Sequence, residues 1–308
     1  MLSKNTVLKF NAWVSAARLR TLPLSVSGVF IGSFASYSTL NFNLLIFILA
    51  VATTISYQVL SNFANDYGDG IKGADKDRIG PERALQSGII GPQEMKRGII
   101  TTSVISLFLT VLLVYICFSK DFFSFVMFIG LGVLAIVAAI KYTVGKNAYG
   151  YSGYGDLFVF VFFGLVSVLG SNFLFTSSLN FSLFYPACTV GLLGAGVLNL
   201  NNMRDLENDQ LMGKKTLAVC LGGHFSRRYH YLLVSVSIVL MVVFLFKLNP
   251  NSSLLTGLFA SIILWLIAHL IQISNIIEPK NFDDFLKPLV FAVVFYSMVL
   301  SLHYLEYF

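Results

Sequence analysis

The stretch "SNFANDYGDGIKGADKDRIGPERALQSG", Ser61 to Gly88, places Asp66, Asp69, Asp75 and Asp77 directly behind a long apolar run. The chain around it is 56% hydrophobic and only 12% charged. Carboxylates at the end of such a run are costly unless something neutralises them. Reading this stretch therefore means finding what the apolar run is and what the acids serve.

Working outward, the chain has 308 residues, 29 of them Phe, and a mean hydropathy of +0.77. That balance leaves too little polar surface for a soluble globule and marks an all-α integral membrane protein. Apolar runs near 19–37, 43–62, 98–119, 123–144, 154–175, 181–200, 229–247, 254–273 and 286–305 each suit a helix crossing a hydrocarbon core of about 30 Å. We expect nine transmembrane helices around a central cavity, forming one domain over 1–308 with polar loops at 63–97 and 201–228. Of the 21 basic residues, 19 fall on the side holding the N-terminus and both loops; Lys120 and Lys247 fall on the other. Basic residues are retained on the cytoplasmic side, so the N-terminus and both loops are expected to be cytoplasmic. The net charge of +6 then follows from topology and does not require nucleic acid. Lys4, Lys9, Arg18 and Arg20 are scattered through the first 20 residues with no small-residue cleavage pattern, so no removable leader is expected.

The opening stretch has a counterpart in "LNLNNMRDLENDQLMGKKTLAVCLGG", Leu198 to Gly223, at the end of the sixth span. Asn62 precedes Asp66 by four residues, and Asn201 precedes Asp205 by four; Asp69 and Asp209 follow as second acids. Residues three and four apart share a helix face, so each span is expected to end with two carboxylates pointing the same way. The four-span offset suggests an old duplication, with the ninth span added. Four acids on two facing helix ends offer hard oxygen ligands suited to Mg²⁺, whose shell commonly includes substrate phosphates. Histidine and cysteine are absent from the motifs apart from Cys220, which argues against zinc. Lys72, Lys76, Arg78, Arg83, Arg204, Lys214 and Lys215 lie beside them, cations able to hold phosphate oxygens. Metal, carboxylates and cations together are what a diphosphate requires. Ordinary solvated loops would also be charged, but acids at equal spacing from an asparagine at two helix ends go beyond that pattern. An ion-coupled transporter would place its acids nearer the bilayer midplane. A phosphatidyltransferase of the CDP-alcohol type would carry D-G-x-x-A-R, which is missing.

A third polar segment, "KYTVGKNAYGYSGYGDLFVFVFFG", Lys141 to Gly164, joins spans four and five. Its acid, Asp156, either caps the start of span five or faces the cavity. Arg18 and Arg20, at the start of span one, are expected to snorkel to headgroups. Cys117, Cys188 and Cys220 lack C-x-x-C spacing and read as small hydrophobes; His224 and His230 read as loop residues.

Asn65-Asp66-x-x-Asp69, and Asp205-x-x-x-Asp209 followed by Gly213-Lys214-Lys215-Thr216-Leu217, resemble the paired aspartate signatures of the UbiA superfamily of intramembrane prenyltransferases. The resemblance extends over essentially the whole chain. "NDYGDGIKGADKDRIGPERALQSG" and "YGYSGYGDLFVFVFFG" are most similar to the branch that prenylates 1,4-dihydroxy-2-naphthoate in menaquinone synthesis. Many relatives place a further aspartate where this chain has Gly73, with Asp75 the next acid; that spacing fits the naphthoate branch rather than the 4-hydroxybenzoate branch. The resemblance implies that Asp66, Asp69, Asp205 and Asp209 hold Mg²⁺ on the diphosphate of a polyprenyl diphosphate donor. Asn62 and Asn201 would orient that shell, and Lys72, Arg83, Lys146 and Lys215 would neutralise the leaving group. Asn65, Tyr142, Tyr149, Asp156 and Arg204 would complete the substrate contacts. It further implies the bacterial cytoplasmic (inner) membrane, with the lipid bilayer as the protein's surroundings. Other aromatic acceptors, such as 4-hydroxybenzoate or homogentisate, stay open on the residues alone.

Overall fold

The computed structural model describes residues 4–73, 83–248 and 252–306. Asp75, Lys76, Asp77 and Arg78 lie outside the described residues. Among those described, every regular element is a helix. A helix α1, Lys4–Ala17, precedes the first span. The chain then runs through α2 (Leu22–Phe34), α3 (Leu44–Lys72), α4 (Pro92–Phe118), α5 (Phe122–Lys141) and α6 (Gly155–Thr176). It continues through α7 (Phe184–Arg204), the short α8 (Leu206–Leu211), α9 (Leu217–Leu248), α10 (Ser253–Ser274) and α11 (Asp283–Glu306).

Eight helical stretches among the described residues are long and apolar enough to cross a membrane. The ninth expected span is α2, only 13 residues long, continued by a 3₁₀ segment over Ala35–Thr39. At about 1.5 Å and 2.0 Å of rise per residue the two together reach about 30 Å. The outer faces carry exposed Phe108, Phe122, Phe123, Phe246 and Leu264, as a surface facing acyl chains requires.

Helix starts follow local chemistry. Asn43 accepts hydrogen bonds from the Leu45 and Ile46 N–H groups, Asp121 from Ser124 and Ser252 from Leu255, satisfying first-turn donors that have no partner within the helix. Gly73, at φ 76°, ends α3 with its N–H directed to the Asp69 and Gly70 carbonyls. Gly73 is thus the left-handed residue that stops the helix.

Close helix approach builds the wall on which the site rests. A Cβ on Gly164 of α6 would come 2.5 Å from the Ala187 carbonyl of α7, and one on Gly191 of α7 would come 2.7 Å from the Phe160 carbonyl of α6. Small residues allow such backbone contact where the solvent is lipid. Between them Phe160–Gly170 winds as a π-helix, a geometry that recurs beside functional sites.

Two expectations are corrected. The seventh span begins at Leu217, not near residue 229, and passes a kink at Gly222 (φ 75°). Its polar start, with His224, Arg227 and Arg228, hid the helical register from a hydropathy reading. His230 is therefore a buried helix residue, with Nε2 2.9 Å from Nε2 of His269 on α10. Cys188 is buried, as expected of a small hydrophobe, while Cys220 is exposed; all three cysteines are free.

Candidate active site

The helix lengths explain where the polar residues stand. At about 1.5 Å per residue, the 29 residues of α3 reach about 44 Å, so its last turns carry Asn62 to Lys72 beyond the apolar slab. The end of α7 and the short α8 do the same for Asn201 to Asp209. Both ends open onto one cavity of about 690 Å³. At its polar end stand Asn62, Asn65, Asp69 and Arg83 opposite Asn201, Asp205, Asn208, Asp209 and Lys214. Arg18, Arg20, Asp283 and Lys287 join the same rim. The rest of the wall is apolar: Leu24, Val29, Leu113, Phe128, Leu131, Phe158, Phe162 and Leu174 among others.

Of the adjacent Asn65 and Asp66, Asn65 lines this cavity. Asn62, Asn65 and Asp69 form the facing stripe. Asp66, 1% exposed, lies at the flank of that stripe and accepts from the Ala84 and Leu85 N–H groups at 3.2 and 3.3 Å. Asp69 lines the cavity, and Asp66, one turn before it, also anchors the loop that returns to the site.

Asp69 is buried, with Oδ1 accepting from the Tyr151 hydroxyl at 2.7 Å and Oδ2 lying 3.5 Å from Lys214 Nζ. The same ammonium is 3.8 Å from Oδ1 of Asp209, so one lysine links the two motifs. Asp205 is held differently. Arg204, fully buried, donates from Nε and Nη2 to its two oxygens, both at 2.8 Å, from Nη2 also to Asn201 Oδ1 at 2.8 Å, and from Nη1 to Asp283.

Asn62 spends its amide on the turn between α1 and α2. Its Nδ2 donates to the Ala17 carbonyl at 2.7 Å and to Thr21 Oγ1 at 3.3 Å. Between those anchors Arg18 adopts a left-handed conformation at φ 51°, unusual for a residue with a Cβ, and its side chain lines the cavity together with Arg20. Arg20 is exposed while Arg18 is half-buried.

Tyr142 and Tyr149 line the cavity where the polar end meets the apolar wall. Tyr149 donates to the Ala138 carbonyl at 2.9 Å and stacks on Phe158 with centroids 3.9 Å apart. Both phenols lie in the loop between α5 and α6. Burial, and for Tyr142 the neighbouring Asp156, Asp69 and Asp209 carboxylates, raise them well above the ordinary phenol range.

Five expected contacts stand outside the cavity wall, Arg204 among them, since its guanidinium is taken up by Asp205, Asn201 and Asp283. Lys72 donates to the Thr143 carbonyl at 2.8 Å and sits 3.7 Å above the Tyr151 ring. Lys146 and Lys215 are exposed. Asp156 lies in the first turn of α6, buried, with no side-chain cap bond at that helix start and with Oδ1 lacking a hydrogen-bond partner. Conversely, Lys287, Asp283 and Asn208 were not singled out from the sequence. Only the recurrence of charge at the start of the ninth span, "DDFLK", signalled the first two.

The donor set of the polar end is oxygen from carboxylates and amides, suited to a hard divalent cation. Among the described residues no three acids converge on one point as the side chains stand, because Lys214 and Arg204 already engage them. Asp69, Asp205 and Asp209 offer carboxylate oxygens to such an ion, and a diphosphate would bring further ones.

Comparison with known proteins identifies relatives over most of the chain. A 1,4-dihydroxy-2-naphthoate octaprenyltransferase of Haemophilus influenzae is 46% identical over 241 residues, covering 77% of each chain. A protein of the same name from Escherichia coli is 44% identical, covering 80% of this chain and 81% of its own. A UbiA homolog from Archaeoglobus fulgidus, solved bound to DMAPP and Mg²⁺, superposes with a TM-score of 0.65 over 94% of this chain and 98% of its own at 14% identity, which speaks to the fold alone. The model of the UbiA prenyltransferase family matches residues 25–302, a range that takes in both acid-bearing helix ends and most of the cavity lining, and the chain belongs to that family.

Proposed function

We propose that this protein transfers a polyprenyl chain from polyprenyl diphosphate to 1,4-dihydroxy-2-naphthoate with loss of CO₂, giving demethylmenaquinol, in a Mg²⁺-dependent reaction. The observation that carries the reading is the two-part cavity, in which one end is rimmed by acids and cations and the other is an apolar wall. An amphiphile with a diphosphate head and an isoprenoid tail matches both parts at once. The naphthoate acceptor is supported by the relatives at 46% and 44% identity that carry that name. We further propose that the protein lies in the bacterial cytoplasmic membrane with the polar end toward the cytoplasm, on the strength of the basic-residue bias.

In this reading Asp69, Asp205 and Asp209 would hold Mg²⁺. The ion would offset charge on the departing diphosphate. Arg18, Arg83, Lys214 and Lys287 hold the remaining oxygens in a site of low dielectric, where such contacts are strengthened. The C1–O bond of the donor breaks with its electron pair leaving on diphosphate. The ring carbon bearing the carboxylate bonds to C1, and the carboxylate departs as CO₂, its electron pair restoring the aromatic ring. Tyr142, Tyr149 and Phe158 present ring faces where the allylic carbon becomes cationic. The apolar wall excludes water that would otherwise capture C1.

Purified protein incubated with the naphthoate and a polyprenyl diphosphate should give one CO₂ per prenylated product, only with Mg²⁺, and should favour the naphthoate over 4-hydroxybenzoate. Equal turnover of the benzoate with its carboxyl retained would reassign the acceptor and leave the donor site standing.

A further inference from the structure

Two acid motifs from opposite halves of the chain meet at a single ammonium. Lys214 Nζ lies 3.5 Å from Asp69 Oδ2 and 3.8 Å from Asp209 Oδ1, with the lysine side chain only 14% exposed. We propose that Lys214 is an internal place-holder for the divalent cation. It joins Asp69 to Asp209 in the unloaded site, yields both carboxylates when the metal arrives, and turns to the diphosphate oxygens. The inference rests on the donor site described under the proposed function and assigns the order in which its charges are exchanged.

Three features of the site carry it. The first is the contrast between the two cations. Arg204 grips Asp205 in a bidentate pair at 2.8 Å, a planar fork that locks its partner. Lys214 shares a compact charge between two carboxylates at 3.5 and 3.8 Å, contacts long enough to be given up. Two buried carboxylates need a counter-charge, and a lysine supplies one without fixing geometry.

The second is that the exchange needs only the side chain to move. The Lys214 N–H donates to the Asp209 carbonyl at 2.8 Å and its own carbonyl accepts from Thr216 N–H at 3.0 Å. The backbone is thereby fixed, while the side chain already lines the cavity. The third is that Asp69 does not depend on Lys214 for its position. Tyr151 holds the opposite oxygen, Oδ1, at 2.7 Å, with its ring bracketed by Lys72 at 3.7 Å and Lys214 at 5.3 Å. When the ammonium leaves, Asp69 stays aimed at the cavity and Oδ2 is available to a metal.

A place-holder makes a pair of opposite demands that an ordinary phosphate-binding lysine does not. Removing its charge should tighten binding of the metal alone, because the ammonium no longer competes for the carboxylates, and weaken binding of diphosphate. The full-length protein in lipid nanodiscs is titrated with Mn²⁺ alone, followed by electron paramagnetic resonance, and then with inorganic pyrophosphate at saturating Mn²⁺. The comparison is wild type against Lys214→Met, with Lys214→Gln carrying the measurement if the first variant does not fold. The expected result is Mn²⁺ binding about five- to tenfold tighter without pyrophosphate, and pyrophosphate binding at least about fivefold weaker. Variants that bind Mn²⁺ alone no tighter than wild type overturn the place-holder while leaving the donor site intact. A wild type that takes up no Mn²⁺ even with pyrophosphate overturns the donor site and the place-holder with it.

Discussion

Asn65 and Asp66 are neighbours in sequence that serve different parts of the fold: Asn65 lines the cavity, while Asp66 accepts from the Ala84 and Leu85 N–H groups and fastens the returning loop. The two acids of the first motif should therefore fail in different ways. Asp69→Asn removes a charge from the metal site and should lower kcat/KM by about a hundredfold or more, with a raised Mg²⁺ requirement. Asp66→Asn weakens two hydrogen bonds to a charged acceptor, worth about 1.5–3 kcal/mol each at most, and should lower the thermal midpoint while leaving the half-saturating Mg²⁺ unchanged. Mg²⁺ titrations of activity beside melting curves separate the two; a Mg²⁺ shift in Asp66→Asn equal to that in Asp69→Asn would return Asp66 to the metal site.

Arg204 binds three oxygen-bearing side chains from the one buried guanidinium: Asp205, Asn201 and Asp283. Its loss leaves a buried carboxylate uncompensated, at a cost of about 3–5 kcal/mol. Arg204→Met should unfold at markedly lower temperature than wild type. Arg204→Lys should recover little, since a point charge cannot reproduce the fork. Melting curves in detergent test this, and a near-wild-type midpoint for the lysine variant would argue against the fork as the stabilising geometry.

Tyr151 donates to Asp69 at 2.7 Å from a loop more than 80 residues away in sequence. Tyr151→Phe keeps the ring under Lys72 and removes only the hydroxyl. We expect a loss of about 1 kcal/mol in holding Asp69, read as a KM for the prenyl diphosphate raised about fivefold with kcat little changed. A fall in kcat with unchanged KM would place the hydroxyl in the chemical step instead.

Burial raises the Tyr149 phenol above its ordinary range, which fixes a sign for alkaline stability. The fold favours the neutral phenol, and the unfolded chain ionises it near pH 10. The contribution is fully present below that pH and declines as pH rises past it. Tyr149→Phe lacks this decline but also lacks the bond to the Ala138 carbonyl at 2.9 Å. Wild type should thus be the more stable at pH 8, and the gap should narrow above about pH 10. Thermal midpoints from pH 8 to 11.5 measure it; a constant gap would mean that the phenol ionises alike in both states.

How much of this was legible in the sequence depended on the period of the signal. Long apolar runs gave the spans, and equal asparagine-to-aspartate spacing gave the two helix ends that meet. The facing of Asp66 was not legible, because the loop N–H groups that claim it lie 18 and 19 residues on. A motif alone does not say which of two adjacent polar residues a cavity will take. The inward turn of Arg18 is hidden for a related reason: tertiary hydrogen bonds, among them those from Asn62 to Ala17 and Thr21 and from Gln58 to Thr21, hold that segment. His230 was misplaced because a polar first turn disguised the start of α9.

The orientation of the whole bundle rests on 19 of 21 basic residues lying on the side of the acid motifs, and two exposed lysines allow it to be tested directly. Lys146 lies in the loop between α5 and α6, beside the polar end of the cavity, and Lys120 lies in the short connection between α4 and α5 at the opposite end. Both are exposed, so cysteine at either position should disturb packing little. With Cys117, Cys188 and Cys220 replaced by serine, Lys120→Cys should react with a membrane-impermeant thiol reagent in intact cells. Lys146→Cys should react only after the membrane is opened. Each helix crossing reverses the side, so the two positions must give opposite results if α5 spans the bilayer. Labelling of position 146 from outside, with position 120 protected, would invert the assignment and place the diphosphate site on the external face, where no cytoplasmic supply of prenyl diphosphate could reach it.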